Sequence, residues 1–232
     1  MEILEIQGHT FYNIKFKPVE SNMYVMICGE EALVFDAIES DEVIELLRNK
    51  NVSKVHIFLT HEHYDHSHGV VYFKKYFNTT LYCHENCRGN LSTKKLSSPR
   101  LVSFVLSVMD MKDGGSRHDD FRSKYADYDL DADIYLQDAS VLTICGHKIF
   151  TVHVPGHTPG SILYIMDDIL AFTGDSLIEN NKIITGFRGG NKEVMLDVSI
   201  PKLKALPNNI WVLPGHGEPF KKINFDFGIY NV

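Results

Sequence analysis

The chain has 232 residues, of which 44% are hydrophobic, 23% charged and 11% aromatic. This length and composition are typical of one large globular domain and exclude a mostly disordered chain. The net charge of −7 disfavours nucleic-acid partners, and the acidic N-terminus and the lack of a run of about 20 apolar residues disfavour a signal peptide or membrane span. We therefore expect a cytoplasmic protein with reduced thiols that binds neither membrane nor nucleic acid.

The four cysteines do not predict a disulfide framework. Of Cys28, Cys83, Cys87 and Cys145, three lie in or beside apolar segments, which is typical of small core residues. The alternative is a metal site at Cys83, His84 and Cys87, but no second ligand pair of the zinc-ribbon kind accompanies these residues.

Short apolar segments separated by Gly, Pro, Asn or Glu predict strands in the first third of the chain. They cover residues 3–6, 11–16, 23–28 and 32–36. A helix is predicted over 39–50, because Val43, Leu46 and Leu47 then share one face. The next strand, 54–59, ends abruptly in the polar run 60–66.

The middle of the chain changes character after a predicted helix at 70–77 and a strand at 80–83. Within residues 88–133, the segment 101–111 predicts an apolar helix, and the charged remainder is broken by two glycines. We interpret 88–133 as an insertion or lid within a single domain spanning 1–232. The alternatives are a helical layer packed on the sheet or a subunit contact, so the apolar helix is a candidate homodimer contact.

Strands resume in the last third of the chain, which also contains a predicted helix at 193–206. The predicted strands are 141–144, 148–154, 162–166, 169–173 and 210–213. Strands dominate each half of the chain and helices close each half. This order predicts an α/β (α+β) fold with two packed sheets and helices outside.

Polar clusters follow directly after several of these strands. The residues are His61, His63, Asp65, His66, His157, Asp175 and His216. Polar groups at strand ends can converge at one edge of a sheet, where a rigid scaffold positions them. Imidazole and carboxylate groups are the ligands of zinc, iron and manganese in proteins. The pattern therefore predicts a metal site.

The segments that carry these residues resemble the motifs of the metallo-β-lactamase superfamily. They read THEHYDH at 60–66, PGHTPGS at 155–161, FTGDS at 172–176 and PGHG at 214–217. The resemblance spans nearly the whole chain except the region around 90–130. It implies an αββα four-layer sandwich, in which two mixed sheets are flanked by helices and the metals lie at one edge.

The resemblance also implies a ligand set for two divalent ions, for which zinc is expected and iron or manganese is the alternative. His61, His63 and His157 would hold the first ion. Asp65, His66 and His216 would hold the second. Asp175 would bridge both ions, and Asp36 would orient the first ligand loop from behind.

A pair of ions about 3.5–4 Å apart would clamp a water, lower its pKa and supply a bridging hydroxide that attacks a carbonyl. Asp65 or water would then protonate the leaving group. Tyr64 is a candidate substrate-binding residue, or else it packs over the loop. Arg188 is a candidate contact for an anionic substrate group, or else forms a structural salt bridge. Without motif support, the remaining histidines are interpreted as surface or core residues: His9, His56, His68, His84, His118, His147 and His153.

Asp175 stands where the commonest β-lactamases carry a cysteine, so the chain resembles the thioesterase, lactonase and glyoxalase II (hydroxyacylglutathione hydrolase-like) branch. We expect hydrolysis of a small thioester, ester or lactone. Only sixteen residues follow His216, which leaves no room for the glutathione-binding domain of glyoxalase II. The alternatives are a one-iron persulfide dioxygenase-like enzyme, which would not need His66 or His216, a phosphodiesterase, and a binding module without catalysis.

Overall fold

The first half of the chain forms a seven-stranded mixed sheet in the computed structural model, which describes residues 1–124 and 126–230. The strands follow one another across the sheet in chain order; the first four are antiparallel and the last four, from the fourth to the seventh, are parallel. They are β1 (Glu2–Ile6), β2 (His9–Phe16), β3 (Ser21–Cys28), β4 (Glu31–Phe35), β5 (Lys54–Phe58), β6 (Asn78–His84) and β7 (Ile134–Leu136).

The second half forms a six-stranded mixed sheet, in the order β13-β12-β11-β10-β9-β8. Only the β11–β12 pair is parallel among its described pairs. Its strands are β8 (Val141–Ile144), β9 (His147–His153), β10 (Ile162–Met166), β11 (Leu170–Gly174), β12 (Trp211–Pro214) and β13 (Phe220–Lys221).

Helices cover the outer faces of both sheets, and local sequence signals fix their ends. The hydroxyl of Ser40 accepts from the Val43 amide at 3.4 Å and so caps α1. Gly114, with φ of 76°, ends α4 in the left-handed conformation that glycine adopts without strain. The helices are α1 (Asp41–Asn49), α2 (Tyr64–Ser67), α3 (Gly69–Phe73), α4 (Pro99–Asp113), α5 (Arg117–Lys124), α6 (Lys192–Val194) and α7 (Ile200–Ala205).

Three apolar layers hold this arrangement together. Between the sheets, the rings of Phe35 and Phe172 stack across the interface, and Phe58 and Tyr164 pack beside them. A second apolar cluster lies under α1, α3, α4 and α5 on the first sheet, and a third lies under α7 on the second sheet. This is the αββα sandwich that the sequence predicted.

The predicted elements differ from the structure mainly at their ends. The helix predicted over 70–77 ends at Phe73, and the helix predicted over 193–206 contains a π turn at Met195–Ser199 between α6 and α7. The short strands β7 and β13 were not predicted. Within the part of the chain that the structure describes, no helix is both long and apolar enough to span a membrane.

The segment 88–133 contains α4 and α5, which pack on the first sheet. Val102, Leu106 and Phe121 are buried in the same cluster as Phe16 of β2. The alternative of a helical layer on the sheet therefore describes most of this segment. On its outer side α4 exposes apolar side chains, including Phe104 at 60%.

Candidate metal centre

Four loops bring the predicted ligands together at one edge of the sandwich. The segment after β5 belongs to the first sheet; its loop carries His61 and His63, and the short helix α2 that follows carries Asp65 and His66. The other three loops belong to the second sheet: those after β9, β11 and β12 carry His157, Asp175 and His216, respectively. All seven side chains are brought within reach of one another, and both sheets contribute.

His61, His63 and His157 form the first ligand group. One ring nitrogen of each lies within 4.8 Å of the others, and all three residues are buried. His157 Nε2 lies 3.0 Å from His63 Nδ1. Three imidazoles converging on one point in a buried position are the expected ligand set of a transition metal.

Asp65, His66 and His216 form the second group. Asp65 Oδ2 lies 3.3 Å from His66 Nε2 and 3.5 Å from His216 Nε2. The two histidines and the carboxylate again converge within 4.8 Å of one another. The second group therefore combines, like the first, side chains of the kinds that bind metal ions.

Asp175 lies between the two groups, and its two carboxylate oxygens point to different sides. Oδ2 is 3.4 Å from His157 Nε2 in the first group. Oδ1 is 3.5 Å from His66 Nε2 and 3.6 Å from His216 Nε2 in the second group. Asp175 therefore contacts both groups of candidate ligands.

Buried polar atoms without partners show that these residues fit metal ions. Among the described residues, His61 Nε2, His66 Nε2 and Asp175 Oδ1 are buried and have no hydrogen-bond partner. An unsatisfied buried polar atom costs about 1–3 kcal/mol, so three of them at one place call for a shared ligand. Tetrahedral zinc with bonds of about 2.0–2.1 Å separates its ligand atoms by about 3.3–3.4 Å. The separations of 3.3–3.6 Å around Asp65 and Asp175 match that value.

The ring nitrogens that face away from the centre are held by hydrogen-bond partners. His61 Nδ1 lies 3.0 Å from Thr60 Oγ1, and His157 Nδ1 lies 2.7 Å from the Ile184 carbonyl. His66 Nδ1 lies 2.9 Å from Asp36 Oδ2. Such partners fix the ring orientation and the tautomer of a ligating histidine. The position of Asp36 behind the loop agrees with the sequence-based expectation.

The lowered pKa values of the three histidines in the first group favour metal binding. Burial lowers the pKa of His61 well below its usual value and lowers the pKa of His63 to about 3. Burial also lowers the pKa of His157. The three imidazoles are therefore neutral at neutral pH, which leaves their lone pairs available to a cation.

The second group carries charge of both signs. Burial opposes the charged form of His66, but the Asp65 and Asp36 carboxylates raise the pKa of His66 well above its usual value. Burial would raise the pKa of Asp65, but the charge of His66 and the hydrogen bond from His216 hold that pKa well below its usual range. Without a metal, protons neutralise this carboxylate-rich site, and a divalent cation would replace them.

Glu62 supports the centre, although the motif analysis did not single it out. Its side chain is fully buried, Oε1 accepts from the Gly160 amide at 3.1 Å, and Oε2 accepts from the Thr158 hydroxyl. Burial raises the pKa of Glu62 to about 7. The side chain fastens the loop that carries His157 to the loop that carries His61 and His63. The signal in the sequence that could have identified Glu62 is its position between the candidate ligands His61 and His63.

Ser21 and Asn22 at the start of β3 also support the site and were not predicted. Ser21 Oγ donates to the Asp65 carbonyl at 2.9 Å. The Asn22 side-chain amide donates to the carbonyls of Pro214 and Gly217 at 3.0 and 2.8 Å. These bonds fix the loop around His216 against the first sheet. No spacing pattern marks such residues, because their partners are distant in the sequence.

A cavity of about 320 Å³ opens over the ligands. Leu101, Val102 and Val105 of α4 form one wall, and Ile184 and Phe187 contribute to the opposite side. The ligands that line it are His63, Asp65, His157, Asp175 and His216. The centre is therefore reached from an apolar pocket, and the segment 88–133 forms part of its wall.

The two predicted substrate-binding residues lie in different surroundings. Tyr64 is only 3% exposed, and its ring stacks on His68 at 4.9 Å and packs beside Tyr128. It does not line the cavity over the ligands, so packing over the loop describes its position. Arg188 is exposed and lines a neighbouring cavity that also touches His63.

Most of the remaining histidines make ordinary structural contacts. The rings of His84 and His153 stack at 3.7 Å. His56 lies between the Tyr82 hydroxyl and the Glu31 carboxylate.

All four cysteines are free thiols; Cys83 and Cys87 are buried, and Cys28 and Cys145 are half-buried.

The sequence profile of the metallo-beta-lactamase superfamily matches residues 17–216. A probable metallo-hydrolase of Bacillus subtilis, YqgX, is 28% identical over 202 residues, which are 86% of each chain. The hydroxyacylglutathione hydrolase GloC of Haemophilus influenzae is 25% identical over 81% of this chain and 80% of its own. The crystal structure of the B3 metallo-beta-lactamase BLEG-1 superposes with a TM-score of 0.72 and 27% identity, over 92% of this chain and 95% of that one.

Proposed function

The chain belongs to the metallo-beta-lactamase superfamily, and we propose that it is a two-metal hydrolase of a small thioester, ester or lactone. One observation carries the proposal: Asp175 directs one oxygen to His157 and the other to His66 and His216. In this position the Asp175 carboxylate would be available to cations at both groups. The relatives named as a metallo-hydrolase and as a hydroxyacylglutathione hydrolase support hydrolysis as the reaction class.

Two divalent ions bound at the two groups, zinc by preference, would supply a water of lowered pKa and polarise the carbonyl under attack. His61, His63 and His157 would hold one ion and Asp65, His66 and His216 the other, with Asp175 shared. His/Asp ligand sets also accept iron and manganese, so metal identity is part of the test.

The residues that line the cavity over the ligands determine which substrates fit and react there. Leu101, Val102 and Val105 offer an apolar wall to the acyl half of the substrate and exclude water beside the reacting carbonyl. Asp65 lines the same cavity with about one tenth of its side chain exposed. Its carboxylate thus faces the pocket, and we propose Asp65 as the group that passes a proton to the leaving group.

A one-iron oxygenase is the runner-up, and the second ligand group is the reason to rank it lower. Such an enzyme needs only one complete set of ligands, whereas Asp65, His66 and His216 converge as closely as the first set does. The buried Nε2 of His66, which has no hydrogen-bond partner, supports this ranking because a second cation would give it a ligand bond.

Elemental analysis of protein purified without added metal or chelator is the first test. We expect close to two equivalents of zinc, iron or manganese per chain. One equivalent of iron alone, with O₂ consumption on a persulfide, would contradict the hydrolase proposal.

A substrate panel completes the test. The loaded protein should cleave a short-chain thioester or a lactone faster than a phosphodiester reporter or a β-lactam. His216→Ala should lose one equivalent of metal and most activity, whereas His118→Ala, at a half-buried position on α5 outside the cavity over the ligands, should keep both. Preferred cleavage of the phosphodiester would overturn the proposed substrate class.

A further inference from the structure

A second cavity, of about 520 Å³, adjoins the cavity over the metal ligands and shares His63 and Leu101 with it. Its lining carries four basic side chains and a single carboxylate. The basic residues are Lys94, Lys95, Arg100 and Arg188, and the carboxylate is Asp127. We call this cavity with its four cations the basic groove. The four cations and the one carboxylate together give the groove a local charge of about +3, in a chain whose net charge is −7.

The groove is assembled from segments far apart in the sequence. Lys94 and Lys95 precede α4, Arg100 lies in its first turn, and Arg188 comes from the loop after β11. Close packing joins these segments: a Cβ on Gly189, whose φ is 91°, would lie 2.9 Å from Leu96 Cδ1. The position of Arg188 opposite the lysine pair is therefore set by contact and does not depend on a long free loop.

The four cations are not used by the fold. All four residues are exposed, and within residues 1–124 and 126–230 none of them forms an ion pair. Like charges around one cavity repel one another, so they favour a multiply charged anion between them. The N-terminus of α4, at Ser98 and Pro99, also opens onto the groove and adds its partial positive charge.

We propose that the basic groove binds a phosphate-bearing tail on the thiol half of an acyl thioester. This inference rests on the proposed function, because it places the thioester carbonyl at the metals and runs the tail past His63 and Leu101. A tail with two or more phosphate charges matches the local charge of about +3. A glutathione tail carries two carboxylates and one ammonium group, so its net charge of about −1 matches it less well.

The test compares one acyl group on three thiols: coenzyme A, glutathione and the neutral N-acetylcysteamine. We expect the highest kcat/KM for the coenzyme A thioester. In Arg188→Gln, the ratio of kcat/KM for coenzyme A over N-acetylcysteamine should fall up to about fivefold, since one exposed charge pair contributes up to about 1 kcal/mol. In the double variant Lys94→Gln/Lys95→Gln, which removes two charges, it should fall up to about 30-fold. Lys112→Gln, at the far end of α4 and outside the groove, is the matched control and should keep the ratio.

Salt provides a second readout. Raising the ionic strength from about 0.05 M to about 0.5 M should lower kcat/KM for the coenzyme A thioester and leave that for the neutral thioester nearly constant. Equal kcat/KM for the three thioesters, without salt dependence, would refute the groove and leave the hydrolase proposal standing. A preference for the glutathione thioester that depends on Arg188 would overturn the assignment to phosphate.

Binding without turnover separates failure of the groove from failure of the proposed function. S-methyl coenzyme A cannot be hydrolysed, and its affinity can be measured by calorimetry. Arg188→Gln should weaken it about fivefold or more, and Lys112→Gln should not. If no thioester is cleaved but this Arg188-dependent binding persists, the proposed reaction is wrong and the groove is upheld. If S-methyl coenzyme A binds wild type and Arg188→Gln equally, the groove assignment is wrong.

Discussion

Replacing Asp36 with asparagine tests whether one buried carboxylate controls how tightly the second ion is held. Asp36 is 3% exposed, accepts from the Thr60 amide at 2.8 Å and lies 2.9 Å from His66 Nδ1. Its φ is 58°, a conformation that asparagine tolerates as well as aspartate does. The substitution therefore keeps size and backbone and removes only the charge and one acceptor.

The size of the expected loss in stability follows from the hydrogen-bond donors that would lose the Asp36 carboxylate as their acceptor. The carboxylate serves the Thr60 amide and hydroxyl as well as His66, and an asparagine amide group would place N–H against one of these donors. Loss of charge-assisted hydrogen bonds costs about 2 kcal/mol, which is about 4–8 °C in Tm for a chain of this length. Losing the partner of a ligating histidine weakens metal binding by about 10–100-fold.

The assay is competition with a chromophoric chelator, with Tm recorded on the metal-free protein. Asp36→Asn should weaken the second equivalent and retain the first. Asp167→Asn is a matched control, because Asp167 also has a positive φ of 52° and accepts from the Lys148 amide while lying 2.6 Å from His147 Nδ1. Unchanged affinity for both equivalents in Asp36→Asn would refute the reasoning, as would an equal effect in the control.

Three further substitutions test other parts of the site. Asp175→Ala should remove activity and at least one equivalent of metal, because both ligand groups lose their shared carboxylate; full activity would contradict the bridging role. Leu101→Ala should raise KM several-fold by widening the cavity while elemental analysis still finds both ions; loss of metal instead would show that α4 holds the ligands in place. Gly174→Ala should lower Tm by about 5 °C or more or prevent folding, since the added Cβ would clash with Thr60 Oγ1 and the φ of residue 174 is 49°; a Tm within about 1 °C of wild type would show that Thr60 can move without cost.

Much of this architecture follows from short-range sequence signals. Apart from the short strands β7 and β13, the strands of both sheets were predictable because their apolar runs are bounded by glycine, proline or polar residues, and β10 and β11 are buried along their whole length. The convergence of the candidate ligands was predictable for a related reason: each of the four segments that carry them follows a strand, so a sheet edge gathers them.

The features that could not be predicted from the sequence depend on contacts between residues that are far apart in the chain. Glu62 and Asn22 act through bonds to residues 98 and 195 positions away, respectively. The basic groove depends in the same way on the fold, which places Arg188 in one cavity with Lys94 and Lys95. Tyr64 lies within the ligand motif, yet its direction depends on how α2 packs against α4 and α5, and no periodicity in four residues decides that.

The division of the ligands between the two sheets makes the metals, once bound, cross-links of the chain. His63 and His157 are 94 residues apart, and a shared ion would close that length of chain into a loop, as a disulfide does. An ion that binds only the folded state, at a free concentration 1,000 times its Kd, adds about 4 kcal/mol to the free energy of unfolding. The edge of the sandwich that carries the metal ligands would then also hold the two halves of the sandwich together. Loss of the metals would therefore leave the chain both inactive and easier for a protease to cleave.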